Sequence, residues 1–470
     1  MRMQSPIFCA RESSAFRRFG FGFRISCQRS RRWHERILTC KLRKRSKMAR
    51  VLHVIPYQKF FPPVGGAWRP FFFLRELARQ HEVHAIILQP QSELQGERGG
   101  YRFPDNVKVY GPAQTPPPRT IFDLLPARLN SALHYRWLRR SWRGPAGTTA
   151  LEIHHLLEKI LCMERIDVVI FEHLHSMMAA PIVRRFSPQS IRILHAHNVD
   201  SDLHEQLLKA GNTATRADLS LLHNARWSES NLHRFVDTFW TCSEIDRAKL
   251  EAMNQGRIHG WTIRTGVDTT VLQYDDRADK FNRKEILFCG SLDYPPNRNG
   301  LLWFHTSIWP LIRERLPQVR LVVIGKGRAG SEFSRLRSEP SVDFKGEVES
   351  VIPYYERSSC VVVPLLQGSG VRVKILEAMS LGSPVVSTPM GAEGIEAEQG
   401  REILLADQAE SFAAAVLRLL ANRELFENLR GAARRLVEEK YDWQMIGKKI
   451  NRVINEIRTV NEVAQSEHPA

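Results

Sequence analysis

One short segment combines the residue types needed to hold a phosphate group. Residues 368–377 read GSGVRVKILE and follow the β-branched run CVVVPL, which predicts a strand that turns through glycines into a helix beginning near Val371. Glycines let a phosphate approach the main chain closely, and the free N–H groups of a helix start attract anions. Arg372 and Lys374 fall in the first turn, where cations oppose the helix dipole and therefore favour a bound anion. The segment predicts a diphosphate site.

Glu377 adds a carboxylate to this largely apolar helix. A carboxylate among apolar neighbours needs hydrogen-bond partners, and sugar hydroxyls would supply them. The spacing leaves a simpler interpretation open, in which Lys374 and Glu377 form an i,i+3 salt bridge on an exposed face.

Two other motifs carry less weight. Gly325 to Gly330 has the GxGxxG spacing of a dinucleotide-binding turn, but it follows the second predicted strand of its series rather than the first. We therefore expect a turn that contacts the nucleotide of a larger ligand, and an NAD-dependent enzyme is the least favoured hypothesis. Asp200 and Asp202 form a DxD pair at a predicted helix start, where N-capping explains them more simply than a metal.

Two series of alternating strands and helices must position these segments. The first has predicted strands at residues 51–55, 83–88, 167–171, 191–196 and 237–242. The second begins at Glu285 and contains EILFCGS, VRLVVIGKG, VDFKG, CVVVPL and PVVSTP. Such alternation is typical of βαβ units around a parallel sheet, and 470 residues exceed the roughly 250 to 300 at which single cores stop growing. The sequence predicts an α/β chain of two Rossmann-like domains.

The predicted domain organisation has six parts: a basic leader (1–47), an N-terminal domain (48–264), a linker (265–284), a C-terminal domain (285–440), a helix that crosses back to the N-terminal domain (441–458) and a disordered tail (459–470). Met48 opens MARVLHVIP, a natural first strand, so we expect the leader to be either an over-extended translation start or a basic targeting or membrane-surface arm. Residues 111–147 are rich in Pro, Arg and aromatics, and we expect a surface excursion.

Composition limits the compartment and the partners. The leader contributes +12 of the net charge of +18, so the remaining residues are only mildly basic and no nucleic-acid partner is predicted. Seven cysteines without CxxC spacing indicate neither a zinc site nor a disulfide framework, which fits a reducing cytoplasm. Because the sequence has no run of about 18 uncharged apolar residues, we expect any membrane contact to be peripheral, at the inner membrane face.

GSGVRVKILEAMSLGSPVVSTPMGAEGI (368–395) resembles the donor-binding segment of the retaining GT-B glycosyltransferases of the "group 1" or family 4 kind. Further matches are PPVGGAWRPFFFLRELARQHEV, HNVDSDLHE, CSEIDRAKL, ILFCGSLDYPPNRNGLLWF and VVIGKG. The resemblance implies two Rossmann-like domains facing across a cleft. It also implies metal-independent transfer of a sugar from a nucleotide diphosphate sugar, the co-substrate, to a glycan or lipid-linked acceptor with retention of anomeric configuration. Bacterial surface polysaccharide synthesis is the implied pathway, without a further cofactor.

The resemblance also assigns roles to residues. Glu377 would bind the ribose, Lys374 and Arg372 the diphosphate, and His175 would stand beside the donor sugar; His175, Glu377 and Lys374 are the predicted catalytic residues. The other predicted donor-binding residues are Gly65, Gly66, Gly290, Gly325, Ser369, Gly370 and Val371. His195, His197 and Asn198 are acceptor-side candidates because they lie at the carboxyl end of a predicted strand, where open α/β sheets bind ligands.

Two positions depart from the family pattern. Ser369 stands where family members often carry a Glu, and Ser291 follows Gly290 where many have an Arg. Arg372 is expected to compensate for the second change. These departures motivate the alternative hypothesis of a non-catalytic GT-B partner subunit.

Overall fold

The computed structural model describes residues 48–61, 63, 67–98, 101–112, 150–210, 215–274, 279–327 and 330–467. The predicted leader, Gly65, Gly66 and nearly all of the excursion at 111–147 lie outside these residues. Among the described helices, none is both long and apolar enough to span a membrane.

The first sheet contains seven parallel strands in the order β3-β2-β1-β4-β5-β6-β7. Their bounds are β1 (Arg50–Ile55), β2 (Glu82–Ile87), β3 (Val107–Tyr110), β4 (Val168–Glu172), β5 (Ile191–His195), β6 (Thr238–Thr241) and β7 (Gly260–Thr262). The central strands β4 and β5 are buried along their whole length, as expected when helices cover both faces of a parallel sheet.

The helices described around this sheet are α1 (Trp68–Ala78), α2 (Ala150–Met163), α3 (Ala180–Phe186), α4 (Asp200–Ala210), α5 (Arg216–Glu229) and α6 (Glu244–Met253). Two buried apolar clusters, one on each face of the sheet, form the core of this domain.

The second sheet contains six parallel strands in the order β10-β9-β8-β11-β12-β13, which is the doubly wound Rossmann order. Its strands are β8 (Glu285–Cys289), β9 (Arg320–Ile324), β10 (Val342–Gly346), β11 (Cys360–Val363), β12 (Val385–Ser387) and β13 (Leu404–Leu405). The helices are α7 (Pro295–Trp303), α8 (Trp309–Arg315), α9 (Ser334–Ser338), α10 (Ile352–Arg357), α11 (Val373–Ser380), α12 (Ala409–Ala421) and α13 (Arg423–Lys440).

The last helix, α14 (Trp443–Glu467), returns to the first domain. Trp443, Ile446 and Ile450 belong to the buried cluster that also contains β1 and α1 residues, and the Trp443 ring stacks on Phe72 with centroids 5.5 Å apart. Just before this helix, the amide of Val267 donates to the carbonyl of Tyr441 over 2.9 Å. The two chain segments that join the domains therefore lie side by side.

The prediction of two Rossmann-like α/β domains is confirmed. Strands β3, β7 and β13, which have four, three and two residues, were not predicted. Burial and pairing with a neighbouring strand define these short strands in the folded chain.

Candidate functional site

The predicted phosphate segment lies where the two domains meet. β11 leads into the glycine loop (residues 364–372), and α11 begins after it, at Val373 rather than near Val371. Gly368 and Gly370 have φ angles of +132° and +79°, which favour glycine. The amide of Gly368 donates to Gln206 of α4 over 2.7 Å, so the loop contacts the first domain directly. A Cβ at Gly370 would lie 3.1 Å from the carbonyl oxygen of His197.

Arg372 is the N-cap residue of α11, and its guanidinium is buried with donors left over. Nη1 donates to the carbonyl oxygens of Ser369 and Gly370, while Nε and Nη2 have no partner among the described residues. Burial lowers the pKa of Arg372, although at 7% exposure the residue still carries a charge that protein acceptors only partly satisfy. A buried cation with unused N–H groups beside a helix start suits an anionic ligand.

Lys374 lies one residue into α11 and reaches across to the end of β8. Its Nζ donates to Oδ1 of Asn297 over 2.8 Å and passes over Gly290, where a Cβ would lie only 2.5 Å away. Burial lowers the pKa of Lys374 to about 8. The absence of a side chain at Gly290 therefore leaves room for the Lys374 ammonium group.

Glu377 lies one turn further along α11 and accepts a hydrogen bond from Oη of Tyr355 over 3.1 Å. Burial raises the pKa of Glu377. Lys374 and Glu377, both in the described part of the chain, form no ion pair with each other, so the simple i,i+3 salt bridge is not what holds them. Each has a separate partner, and each remains partly exposed.

The GxGxxG turn is built by close backbone packing. Gly325, at the end of β9, has φ +153°, and a Cβ there would lie 2.0 Å from the carbonyl oxygen of Gly290. A Cβ at Gly327 would lie 2.8 Å from the amide of Asp293. Gly290 and Gly325 thus bring the ends of β8 and β9 together beside Lys374.

On the first-domain side, the carboxyl ends of the central strands carry a cluster that we call the imidazole network. It consists of Arg69, His53, Glu172, His195 and His197. Oε2 of Glu172 lies 2.7 Å from Nε2 of His53 and 2.9 Å from Nδ1 of His195, and its Oε1 bonds to Nε2 of His197. Although burial opposes its ionisation, the surrounding imidazoles hold the pKa of Glu172 well below its usual range.

Arg69 joins the network from α1. Its Nη2 lies 2.6 Å from Nε2 of His195 and 2.8 Å from the carbonyl oxygen of Ile263, and Nη1 bonds to Thr265. The network therefore connects α1 to the segment that leaves β7 towards the second domain. Sequence reasoning missed Arg69, His53 and Glu172. The available signals were an arginine within the apolar helix WRPFFFL and a carboxylate at the end of a buried strand.

His173 follows Glu172 in an uncommon backbone conformation, with φ 64° and ψ 155°. Nε2 of His173 lies 2.7 Å from the Tyr57 hydroxyl, and its ring centroid lies 4.0 Å from that of His197. The ring of His175, the predicted catalytic histidine, lies 5.7 Å from that of His173, and burial lowers its pKa. The structure thus brings His173, which was not selected, into direct contact with the acceptor-side candidate His197.

Besides the buried His195, the other two acceptor-side candidates differ in their surroundings. His197 bonds to Glu172 and lies against the glycine loop, whereas Asn198 donates from Nδ2 to Oδ1 of Asp200 over 2.8 Å. The carboxylate of Asp202, the second member of the DxD pair, binds Lys249 of α6. Both DxD carboxylates therefore have protein partners.

Comparisons with known proteins agree with this architecture. Residues 283–422, which contain the glycine loop and α11, match the family described as "Glycosyl transferases group 1". An uncharacterized 44.6 kDa protein in the cps region of Klebsiella pneumoniae is 26% identical over 185 residues, covering 37% of this chain and 47% of that protein. A phosphatidyl-myo-inositol mannosyltransferase of Mycobacterium leprae is 26% identical over 231 residues, covering 47% and 59%. The chain thus spans about half the length of the curated relatives it matches.

Solved structures resemble most of the chain at low sequence identity. A sucrose-phosphate synthase from Thermosynechococcus elongatus superposes with a TM-score of 0.64 at 14% identity, covering 87% of this chain and 99% of that one. Anabaena HepE in complex with UDP-glucose gives a TM-score of 0.61 at 14% identity with the same coverage. The chain therefore has the GT-B fold, and its second domain carries the match to the group 1 glycosyltransferases.

Proposed function

We propose that the protein is a glycosyltransferase that uses a nucleotide diphosphate sugar as donor. The observation that carries the proposal is the buried guanidinium of Arg372, whose Nε and Nη2 have no partner within the described chain and lie beside the start of α11. A diphosphate bound there would accept from these N–H groups and from the helix amides. The family match over residues 283–422 supports a sugar nucleotide as the source of that diphosphate.

The proposed reaction proceeds with retention and without a metal. As the bond between the sugar and the diphosphate breaks, negative charge develops on the leaving phosphate, and Arg372, Lys374 and the α11 amides stabilise it electrostatically. The leaving phosphate oxygen takes the proton of the acceptor hydroxyl, so the mechanism requires no protein base. Glu377 binds the ribose hydroxyls, and His175 remains the predicted residue beside the donor sugar.

The acceptor that we propose is a glycan or a lipid-linked sugar in surface polysaccharide synthesis, at the cytoplasmic membrane face. The relatives support this range: one is named for a cps region and another as a phosphatidyl-myo-inositol mannosyltransferase. A hexose is the proposed transferred group.

The test is a panel of UDP-, GDP- and ADP-sugars, assayed for binding and for turnover. With the donor so identified, Lys374→Ala and Glu377→Ala should each abolish transfer and leave thermal unfolding little changed. Lys345→Ala and Glu439→Ala, which alter exposed side chains of the same domain, serve as controls and should keep activity. Full activity in either site variant would refute the assignment.

The second candidate is a non-catalytic GT-B partner subunit. The observation that favours it is at position 369, where many relatives are expected to present a carboxylate side chain to the donor sugar. This chain has Ser369 there, and its carbonyl oxygen accepts a hydrogen bond from Arg372. Isothermal titration separates the two, because a silent subunit should bind none of the sugar nucleotides, whereas the enzyme should bind at least one.

A further inference from the structure

Glu172 is the centre of the imidazole network, whose outer atoms Nδ1 of His53 and Nε of Arg69 have no partner among the described residues. Glu172 has no solvent exposure, and both of its carboxylate oxygens accept hydrogen bonds from imidazole rings. Its partners come from β1, from the end of β5 and from the residue that follows β5 by two positions. A buried charge that is held this closely fixes the orientation and protonation of the groups around it.

The positions of the protons follow from the donor and acceptor rules. A guanidinium can only donate, so Nε2 of His195, 2.6 Å from Nη2 of Arg69, must be the acceptor. His195 therefore carries its proton on Nδ1 and donates it to Oε2 of Glu172. His53 donates from Nε2 to the same oxygen. The network places two donors on Oε2 and leaves Oε1 to His197.

The same rules apply to His197. Its Nε2 faces an ionised carboxylate oxygen, so Nε2 carries the proton. Burial lowers the pKa of His197 to about 4, and the ring is therefore neutral at physiological pH. A neutral ring that is protonated on Nε2 has its lone pair on Nδ1, which makes Nδ1 a hydrogen-bond acceptor.

His197 lies at the boundary between the domains. Its carbonyl oxygen is 3.1 Å from the Cβ position of Gly370, and its side chain keeps 16% of its exposure. The backbone of His197 therefore borders the glycine loop, and its partly exposed ring lies on the first-domain side of that boundary.

We propose that Glu172 is a positioning residue that holds His197 with its proton on Nε2, so that Nδ1 accepts a hydrogen bond from a sugar hydroxyl in the cleft. This inference rests on the proposed function, because that function supplies the sugar. The hydroxyl belongs either to the transferred sugar or to the acceptor sugar, and the kinetic test below separates the two.

The ligating atoms of His53, Glu172 and His195 are close enough together to suggest a cation site instead. The bond from Arg69 opposes that interpretation. The lone pair on Nε2 of His195 accepts from the guanidinium, and Nδ1 carries the proton. Nδ1 could bind a metal only if that proton left the ring or moved to Nε2, which would break the bond from Arg69.

Glu172→Gln is the decisive variant because the direction of its amide can be predicted. The two imidazole donors on Oε2 require the amide oxygen at that position, so the amide NH₂ group faces Nε2 of His197. Nε2 must then accept, and the proton moves to Nδ1. Long-range ¹H–¹⁵N spectra of the histidine-labelled full chain, assigned with His197→Asn, should show Nε2–H in the wild type and Nδ1–H in Glu172→Gln.

Kinetics provide the second measurement. Reversal of the hydrogen bond should lower kcat/KM about tenfold, the effect of one lost hydrogen bond to substrate. If the hydroxyl is on the transferred sugar, hydrolysis of the donor without acceptor falls as well; if it is on the acceptor, the KM for acceptor alone rises. The amide oxygen that His197→Asn introduces would occupy the place of Nδ1, so Glu172→Gln should have little further effect in the His197→Asn background.

The matched control is Glu251→Gln, which alters another carboxylate–imidazole pair, with His259 Nδ1 at 2.8 Å, outside the network. It should change neither the tautomer of His197 nor kcat/KM. An Nδ1–H tautomer in the wild type, additive effects of Glu172→Gln and His197→Asn, or one equivalent of Zn²⁺ bound by the wild type and lost in Glu172→Gln would each overturn the inference. If the wild type turns over no sugar nucleotide, the proposed function fails, and the tautomer spectra still decide the role of Glu172.

Discussion

Replacing His173 with glycine should stabilise the protein relative to replacing it with alanine. At φ 64° and ψ 155° the residue occupies a region that is almost restricted to glycine, and such a conformation costs about 1–3 kcal/mol. Surrounding bonds hold it there: its amide donates to the carbonyl oxygen of His195 over 3.0 Å, and Ser176 Oγ donates to its carbonyl oxygen over 3.0 Å.

The two variants isolate the backbone term because both remove the imidazole and its bond to Tyr57. At an ordinary position, alanine is more stable than glycine by about 0.4–1 kcal/mol, because glycine has more freedom in the unfolded chain. Relief of about 1–3 kcal/mol of strain outweighs this difference. We therefore expect His173→Gly to exceed His173→Ala in free energy of unfolding by about 1 kcal/mol, the reverse of the usual order.

Urea unfolding, followed by far-UV circular dichroism and tryptophan fluorescence, measures the difference. Because two-domain chains depart from two-state behaviour, the variants are compared within the same transition. His155, exposed on α2, provides the control pair, and there alanine should be more stable than glycine by about 1 kcal/mol. If the pair at 173 shows the same order as the pair at 155, the backbone is not strained and the reasoning is refuted.

Three further predictions concern the two sides of the cleft and the helix that joins the domains. Burial lowers the pKa of Lys374 to about 8, so the ammonium is lost as the pH rises through that value. Isothermal titration from pH 7 to 9.5 should show that the affinity for the sugar nucleotide falls above pH 8, and the profile of Lys374→Arg should be flatter. A flat profile for the wild type would contradict this prediction. Gln206→Ala removes the hydrogen bond to the Gly368 amide and should raise the KM for donor about 2- to 10-fold without changing the unfolding midpoint. An unchanged KM would show that this contact does not assist donor binding. Trp443→Ala should lower the free energy of unfolding by about 3–5 kcal/mol because the side chain is buried against Phe72. Met445→Ala, at an exposed position of the same helix, should change it by less than about 0.5 kcal/mol. Equal losses in the two variants would show that the contact between Trp443 and Phe72 does not stabilise the fold.

The residues of the glycine loop and α11 could be selected from the sequence because they are neighbours in the chain. Arg372, Lys374 and Glu377 lie within one strand–loop–helix unit, where glycine spacing and helix-start chemistry are visible locally. Their partners could not be predicted, since Asn297 and Tyr355 come from helices 77 and 22 residues away. The sequence therefore indicates the anion site but not the bonds that hold its side chains.

The imidazole network shows the opposite case. Glu172 meets His53 across 119 residues, and Arg69 meets His195 across 126, because the strand order places β1, β4 and β5 side by side. Only the general rule that ligands bind at the carboxyl ends of parallel strands indicated this region, and it selected His195 and His197. The choice of His175 over His173 rested on resemblance, and the backbone conformation that distinguishes His173 is not visible in any local pattern.

The charges on the two sides of the cleft orient the proposed ligand. On the second-domain side, Arg372 and Lys374 are cations, and the guanidinium has unused donors. On the first-domain side, Glu172 and Arg69 both bond to His195, and burial keeps His195 and His197 neutral by lowering their pKa to about 4. A phosphate gains most from the first surface, while an uncharged sugar can bond to neutral imidazoles without displacing an ion. Under the proposed function, we therefore expect the diphosphate over α11 and an uncharged sugar, either the transferred or the acceptor sugar, beside His197.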